Sequence, residues 1–183
     1  FRFRDYPLIM GIDSLSTPLH QAVKKLCEGP DGLYYALLFQ GGITCFDKDI
    51  EKFLPVRFDK PLELKDILDF CWNDGSLYLV TSQGLFESRI VRKTEGKHDF
   101  VLCLLNPEPV VRGKVAHLCS DGKTNLYFSV NQRKVVHYDL VAKKTSLIKE
   151  YSVVNRLFLR HGYLWICRLW DDIICYDLKT NEE

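Results

Sequence analysis

The sequence predicts an all-β fold made of four similar sheet units, and three observations carry the prediction. A Leu-aromatic pair recurs at Leu33-Tyr34, Leu77-Tyr78, Leu126-Tyr127 and Leu164-Trp165, with separations of 44, 49 and 38 residues. Apolar runs rich in Leu, Ile, Val, Tyr and Phe are broken by Asp-Gly, Asn-Asp-Gly, Gly-Gly and Gln-Gly, the chemistry of tight turns between strands. The chain has 183 residues, 46% of them hydrophobic and 27% charged, enough for one packed domain and too apolar for disorder.

The units follow one another in order. The first runs through Leu26-Cys27-Glu28 and Asp31-Gly32 to Leu33-Tyr34-Tyr35, then past Gly41-Gly42 to Ile43–Asp47 and a fourth strand at Phe53–Phe58. Thr17-Pro18, Leu19, Val23 and Leu26 with a terminating Gly29 also fit a helix. The repeat assigns Val23–Glu28 to an inner strand, and that reading is preferred. The second unit turns at Asn73-Asp74-Gly75 and Gln83-Gly84, with a fourth strand at Phe100–Leu105. The third carries Leu118-Cys119-Ser120-Asp121-Gly122, Leu126-Tyr127-Phe128 and Val135–Leu140, ending on Thr145–Tyr151. The fourth has three strands only, through Leu157–Arg160, Leu164–Ile166 and Ile173–Leu178. Residues 1–19 are read as a possible closing strand (1–12) and linker. The whole of 1–183 is one domain, with units at about 20–60, 64–106, 112–151 and 153–180.

Four antiparallel strands every ~40–45 residues is the pattern of β-propeller blades, so the expected fold is a β-propeller of four blade-like repeats. It is either a self-closed four-bladed ring, with residues 1–12 completing the last blade and removing an open edge, or part of a larger propeller. The stretches from Asp74 to Phe86 and from Ile174 to Thr180 resemble two-component-regulator, quinoprotein-like and WD-like blades. The resemblance covers nearly all of residues 20–180 and identifies a fold superfamily. Trp170-Asp171 falls in a turn and is not the strand-ending WD signature, and no Gly-His pair precedes the inner strands.

Charge and cysteine usage bound the function. Twenty-five basic residues against 24 acidic ones leave +1, which weighs against a nucleic-acid platform. Basic residues gather only in small groups: Arg89, Arg92 and Lys93; Arg112 and Lys114; Arg133 and Lys134; Lys143 and Lys144. No apolar run approaches the ~18 residues of a membrane helix, and no membrane partner is expected. Seven cysteines without C-x-x-C spacing read as buried apolar groups of a protein in a reducing cytoplasmic or nuclear setting. A secreted domain with three bridges and one free thiol is the rival.

Cys27, Cys71 and Cys119 share one repeat position, held by Phe158 in the fourth unit. Cys45, His137 and Cys175 share another. Equivalent places in different blades are expected to lie far apart, so neither set predicts a metal site. Asp47, Asp139 and Asp177 recur after an aromatic residue and are read as caps of turn amides. Asp47-Lys48-Asp49 and Asp171-Asp172 lack a calcium-loop context. No G-x-G-x-x-G, P-loop, H-E-x-x-H or G-x-S-x-G motif occurs.

The expectation is therefore a non-enzymatic scaffold for protein partners in an intracellular multi-subunit assembly, one of which could be a chain that completes the propeller. No catalytic residue, cofactor or metal is expected. The binding surface is placed on the turns joining second to third strands and the connections entering inner strands, with Trp170, Arg168, Arg133, Gln83 and Arg156 as its contact residues. Gln40 and Asn131-Gln132 occupy equivalent turns. The alternatives are a metal-dependent propeller hydrolase or lactonase, with carboxylates converging on the channel, and a nucleic-acid platform.

Overall fold

Sixteen strands and no helix make up the described part of this computed structural model, which comprises residues 22–39, 42–48, 51–59, 67–92 and 99–183. Among these residues no helix is long and apolar enough to cross a membrane. The first blade is β1 (Val23–Glu28), β2 (Tyr34–Leu38), β3 (Ile43–Asp47) and β4 (Lys52–Phe58). The second is β5 (Ile67–Asn73), β6 (Ser76–Thr81), β7 (Gly84–Arg92) and β8 (Phe100–Leu104). A short β9 (Val111–Arg112) leads into the third blade, β10 (Val115–Ser120), β11 (Asn125–Val130), β12 (Lys134–Asp139) and β13 (Lys144–Glu150). The last is β14 (Val154–Arg160), β15 (Tyr163–Arg168) and β16 (Ile173–Asp177). Segment 23–28, the one with two readings in the sequence, is strand β1. The proposed closing strand, residues 1–12, lies outside the described residues.

Local chemistry explains the hairpins. Asp74 and Gly75 both have positive φ, 44° and 77°, between the paired Asn73 and Ser76. Two left-handed central residues make the turn whose twist matches the strands. Asn131 and Gln132 do the same without glycine, at 53° and 56°, closed by a bond from the Arg133 N–H to the Val130 carbonyl of 3.1 Å. Two of the three recurring aspartates are seen to cap turns: Asp139 accepts from the N–H groups of Val141 and Ala142, both at 2.8 Å, and Asp177 from that of Lys179 at 2.7 Å.

Successive side chains of a strand point to opposite faces of its sheet, and the three cores lie between neighbouring blades. Tyr35, Leu37 and Cys45 of blade 1 meet Phe70, Leu79 and Phe86 of blade 2. Cys71, Tyr78 and Val80 meet Leu118, Leu126, Phe128 and Val136 of blade 3. Tyr127 and Val135 meet Leu157, Leu164 and Ile166 of blade 4.

Two features were absent from the sequence reading. The outer strands β4 and β8 pair in parallel, Val56 with Phe100 and Phe58 with Leu102, so blades 1 and 2 form one continuous sheet. The connection to blade 3 adds β9 to the start of β7, Leu85 opposite Val111.

Candidate functional site

Each innermost strand carries a register irregularity near its start: between Val23 and Lys25 in β1, Ile67 and Asp69 in β5, Ala116 and Cys119 in β10, Val154 and Arg156 in β14. Such bulges bend a strand and re-aim its side chains. The four strands together line a cavity of about 560 Å³ on the axis, walled among others by Lys25, Asp69, His117, Arg156, Trp72 and Phe158.

Hydrogen bonds tie three blades across this channel. Lys25 Nζ donates to Asp69 Oδ1 at 2.8 Å and to the Leu118 carbonyl at 3.0 Å. Asp69 accepts from the backbone N–H of Leu118 at 2.8 Å and from its neighbour Phe70 at 2.8 Å. Among the described wall residues Asp69 is the one carboxylate, and its oxygens are occupied by these donors. His117 has a left-handed φ of 54°, and its Nε2 is buried without a hydrogen-bond partner, as is Trp72 Nε1. Burial holds the His117 pKa below the ordinary imidazole value; Asp69 opposes that shift and Arg156 and Lys24 reinforce it.

Cys27, Cys71 and Cys119 all line the same cavity, which corrects the expectation that equivalent residues lie far apart. Inner strands converge on the axis, so equivalent positions approach one another there. Burial disfavours the thiolate at all three: it pushes Cys119 up to about 12, Cys71 well above its ordinary value and Cys27 up as well. Among the described residues no group of three His, Cys, Asp or Glu is placed to hold a metal ion.

The rim is built from the turns between second and third strands. In blades 1, 3 and 4 the turn amide donates to the residue just before that blade's inner strand. The bonds are Phe39 to Ala22 at 2.9 Å, Asn131 to Lys114 at 2.8 Å and Leu169 to Val153 at 2.8 Å. Four of the five sequence-selected residues sit on or directly beside these turns. Trp170 is 95% exposed and holds a left-handed φ of 62°. Arg168 beside it is largely buried, its guanidinium paired with Asp171 at 2.7 Å and also with Asp172. Arg133 faces Glu150 at 3.7 Å. Gln83 is exposed in the β6–β7 turn, and its carbonyl accepts from the Gly113 N–H at 3.2 Å. Arg156 belongs elsewhere, within β14 and facing the channel. Gln40, Asp49 and Lys93 lie outside the described residues.

Sequence reasoning missed Phe39, which is 67% exposed on the β2–β3 turn and also borders the cavity. A bulky aromatic beside Gln40-Gly41-Gly42 was the available signal. Leu169 and Ile173 add exposed apolar surface close to Trp170 in the chain, and Val153, whose carbonyl accepts from the Leu169 amide, adds more. Of the basic groups, Arg112 pairs with Glu108, and Arg92 approaches Asp47 at 4.0 Å.

No protein-family model matches the chain, and no curated protein matches it. Solved structures do. An auxiliary nutrient binding protein from Bacteroides thetaiotaomicron is similar at 17% identity and a TM-score of 0.61, over 88% of this chain and 40% of that one. A chain of a mitotic checkpoint complex is similar at 16% identity and 0.59, over 90% and 50%. The computationally designed Ika4 protein is similar at 13% identity and 0.55, over 92% and 99%. The chain thus spans half or less of the first two and nearly all of the third. Likeness at this level of identity speaks to fold, and the fold is a β-propeller: four successive blades that correspond to part of larger propellers.

Proposed function

We propose that this chain is a non-enzymatic protein-interaction platform within an intracellular assembly, with the rim around Trp170 as its contact surface. The β-propeller fold commonly serves as a binding platform. The observation that carries the reading is Trp170 itself. It is 95% exposed, on a left-handed backbone position that a bulky residue rarely adopts, at the tip of a turn pinned by Arg168, Asp171 and Asp172. An indole presented on a rigid base loses little conformational entropy on binding, and Trp is a favoured interface anchor.

The surroundings suggest the partner's chemistry. Leu169, Ile173 and Val153 extend the apolar surface, and two carboxylates against one guanidinium leave the tip net negative. An apolar segment flanked by a basic residue fits it. Seven unbonded thiols, two of them buried, support a reducing compartment. The test is quantitative retention of the partners recovered with the wild-type protein. Trp170→Ala is expected to weaken one of them about 30-fold, the cost of losing an anchor worth ~2 kcal/mol. Unchanged retention of every partner by that variant, with unfolding unchanged, sinks the proposal.

A further inference from the structure

Two residues before the Cys27, Cys71, Cys119 and Phe158 positions, every inner strand carries an ionisable residue: Lys25, Asp69, His117 and Arg156. Each shares the face of its blade that looks toward the next one. Lys25 reaches Asp69 of blade 2 at 2.8 Å, and Asp69 reaches the Leu118 amide of blade 3, beside His117. With Arg156 the series stops. It is exposed, and no ion pair engages it among the described residues.

The row across the strands on the same face, starting from the cysteines, behaves alike. Blade 1 presents Cys27, Tyr35 and Cys45 opposite one another, blade 2 Cys71, Tyr78 and Glu87, and blade 3 Cys119, Tyr127 and His137. The following blade covers each row, so Tyr35, Tyr78 and Tyr127 are 1%, 4% and 7% exposed. Blade 4 presents Phe158, Trp165 and Cys175 in the same register. There Phe158 is 50% exposed and Trp165 39%, with Tyr163 and Ile173 of the same face exposed beside them. A face with the pattern of three buried interfaces and no described residue packed over it is an interface of the same kind.

We propose that this face of blade 4 seats a further β-propeller blade, built from residues outside 1–183, that presents a carboxylate to Arg156 as Asp69 does to Lys25. Charge selects this occupant over a second copy of the chain. Blade 1 of a second copy brings Lys25 to the position opposite Arg156, a like charge. The face that blade 1 would have to offer is also already covered, since Ala36, Leu38 and Thr44 are 0%, 1% and 2% exposed. The proposal is independent of the rim: Trp170 can fail as an anchor while this face still binds a blade.

The test is a photoreactive benzoylphenylalanine at position 165 of the natural protein, expressed in the cells that make it, with the adduct mapped by peptide mass. The expected adduct lies outside residues 1–183, in a stretch of alternating apolar residues with turn signals and an Asp or Glu on its inner strand. Arg156→Glu is expected to lower adduct yield at least tenfold, while Lys144→Glu on the outer strand of blade 3 leaves it unchanged. Both are exposed sites, and thermal unfolding of each variant checks that the fold is intact. An adduct within residues 22–59 of a second copy, an adduct on a helix or an isolated peptide, or no adduct at all overturns the proposal. So does an Arg156→Glu variant with undiminished yield.

Discussion

At the scale of single residues, burial decides chemistry more than residue type does. Cys45 and Cys119 each have a thiol pushed up to about 12 by burial, with neighbouring carboxylates adding to it. At pH 8 only ~0.01% of such a thiol is thiolate, so a disulfide reagent should label both slowly in the native protein and quickly in urea. Peptide mapping of the labelled sites checks this, and fast native labelling of Cys45 would contradict it. His117 predicts a pH dependence of known sign. Its folded pKa lies below the unfolded value of ~6.5, so the unfolded state takes up the proton first. The stabilisation is complete above that value and declines as pH falls toward the folded pKa. His117→Asn, which tolerates the left-handed backbone, should flatten the decline in urea midpoints between pH 7 and 5. Gly84 is the clearest steric constraint. It has φ +144°, and a Cβ there would sit 2.1 Å from the Val111 carbonyl oxygen. Gly84→Ala must displace β9 from β7, at a cost of about 2 kcal/mol or more in chemical unfolding.

At the scale of elements, the inner strands are held by polar as well as apolar contacts. The Asp69 side chain is 16% exposed and that of Lys25 24%, so the pair is partly desolvated. Asp69→Ala removes the ion pair and leaves the Leu118 amide without its acceptor, with an expected loss of about 2–3 kcal/mol. Asp69→Asn keeps an acceptor for that amide and should cost less. Equal losses in both variants would mean that the ion pair alone matters. The parallel β4–β8 ladder makes a second prediction. Amides at Val56–Phe58 and Phe100–Leu102 should exchange with deuterium as one cooperative unit, because opening either strand breaks the other's bonds. Exchange of β4 well ahead of β8 would show that the two blades open separately.

At the scale of the whole molecule, three inter-blade cores serve four blades, leaving the leading face of blade 4 apolar and open. A propeller arc of this kind offers two distinct surfaces. Turn tips on the rim offer preorganised side chains, and a blade face offers the same packing that holds the fold together. These have different signatures. Rim binding depends on a few anchors and tolerates loss of the rest. Blade docking buries a broad apolar surface and should raise the unfolding temperature of the complex with partner concentration.

The sequence by itself determined the strands, their hairpins and the repeat. The apolar run Leu77–Thr81 and the left-handed turn at Asp74-Gly75 are local, so the residues that specify them are adjacent in the chain. It also placed Trp170, Arg168, Arg133 and Gln83 on equivalent turns, since a repeat maps equal positions onto one side of the fold. Only the tertiary structure decided which residues meet across blades. Lys25 and Asp69 are 44 residues apart, and nothing local to either marks the pairing. Arg156 was assigned to the rim because it follows a connection, yet a bulge in β14 turns it into the channel. The parallel union of β4 with β8 and the exposure of Phe158 and Trp165 are likewise products of packing. Whether an apolar row in a repeat is core or interface depends on the presence of the next blade, and a residue pattern carries no record of that.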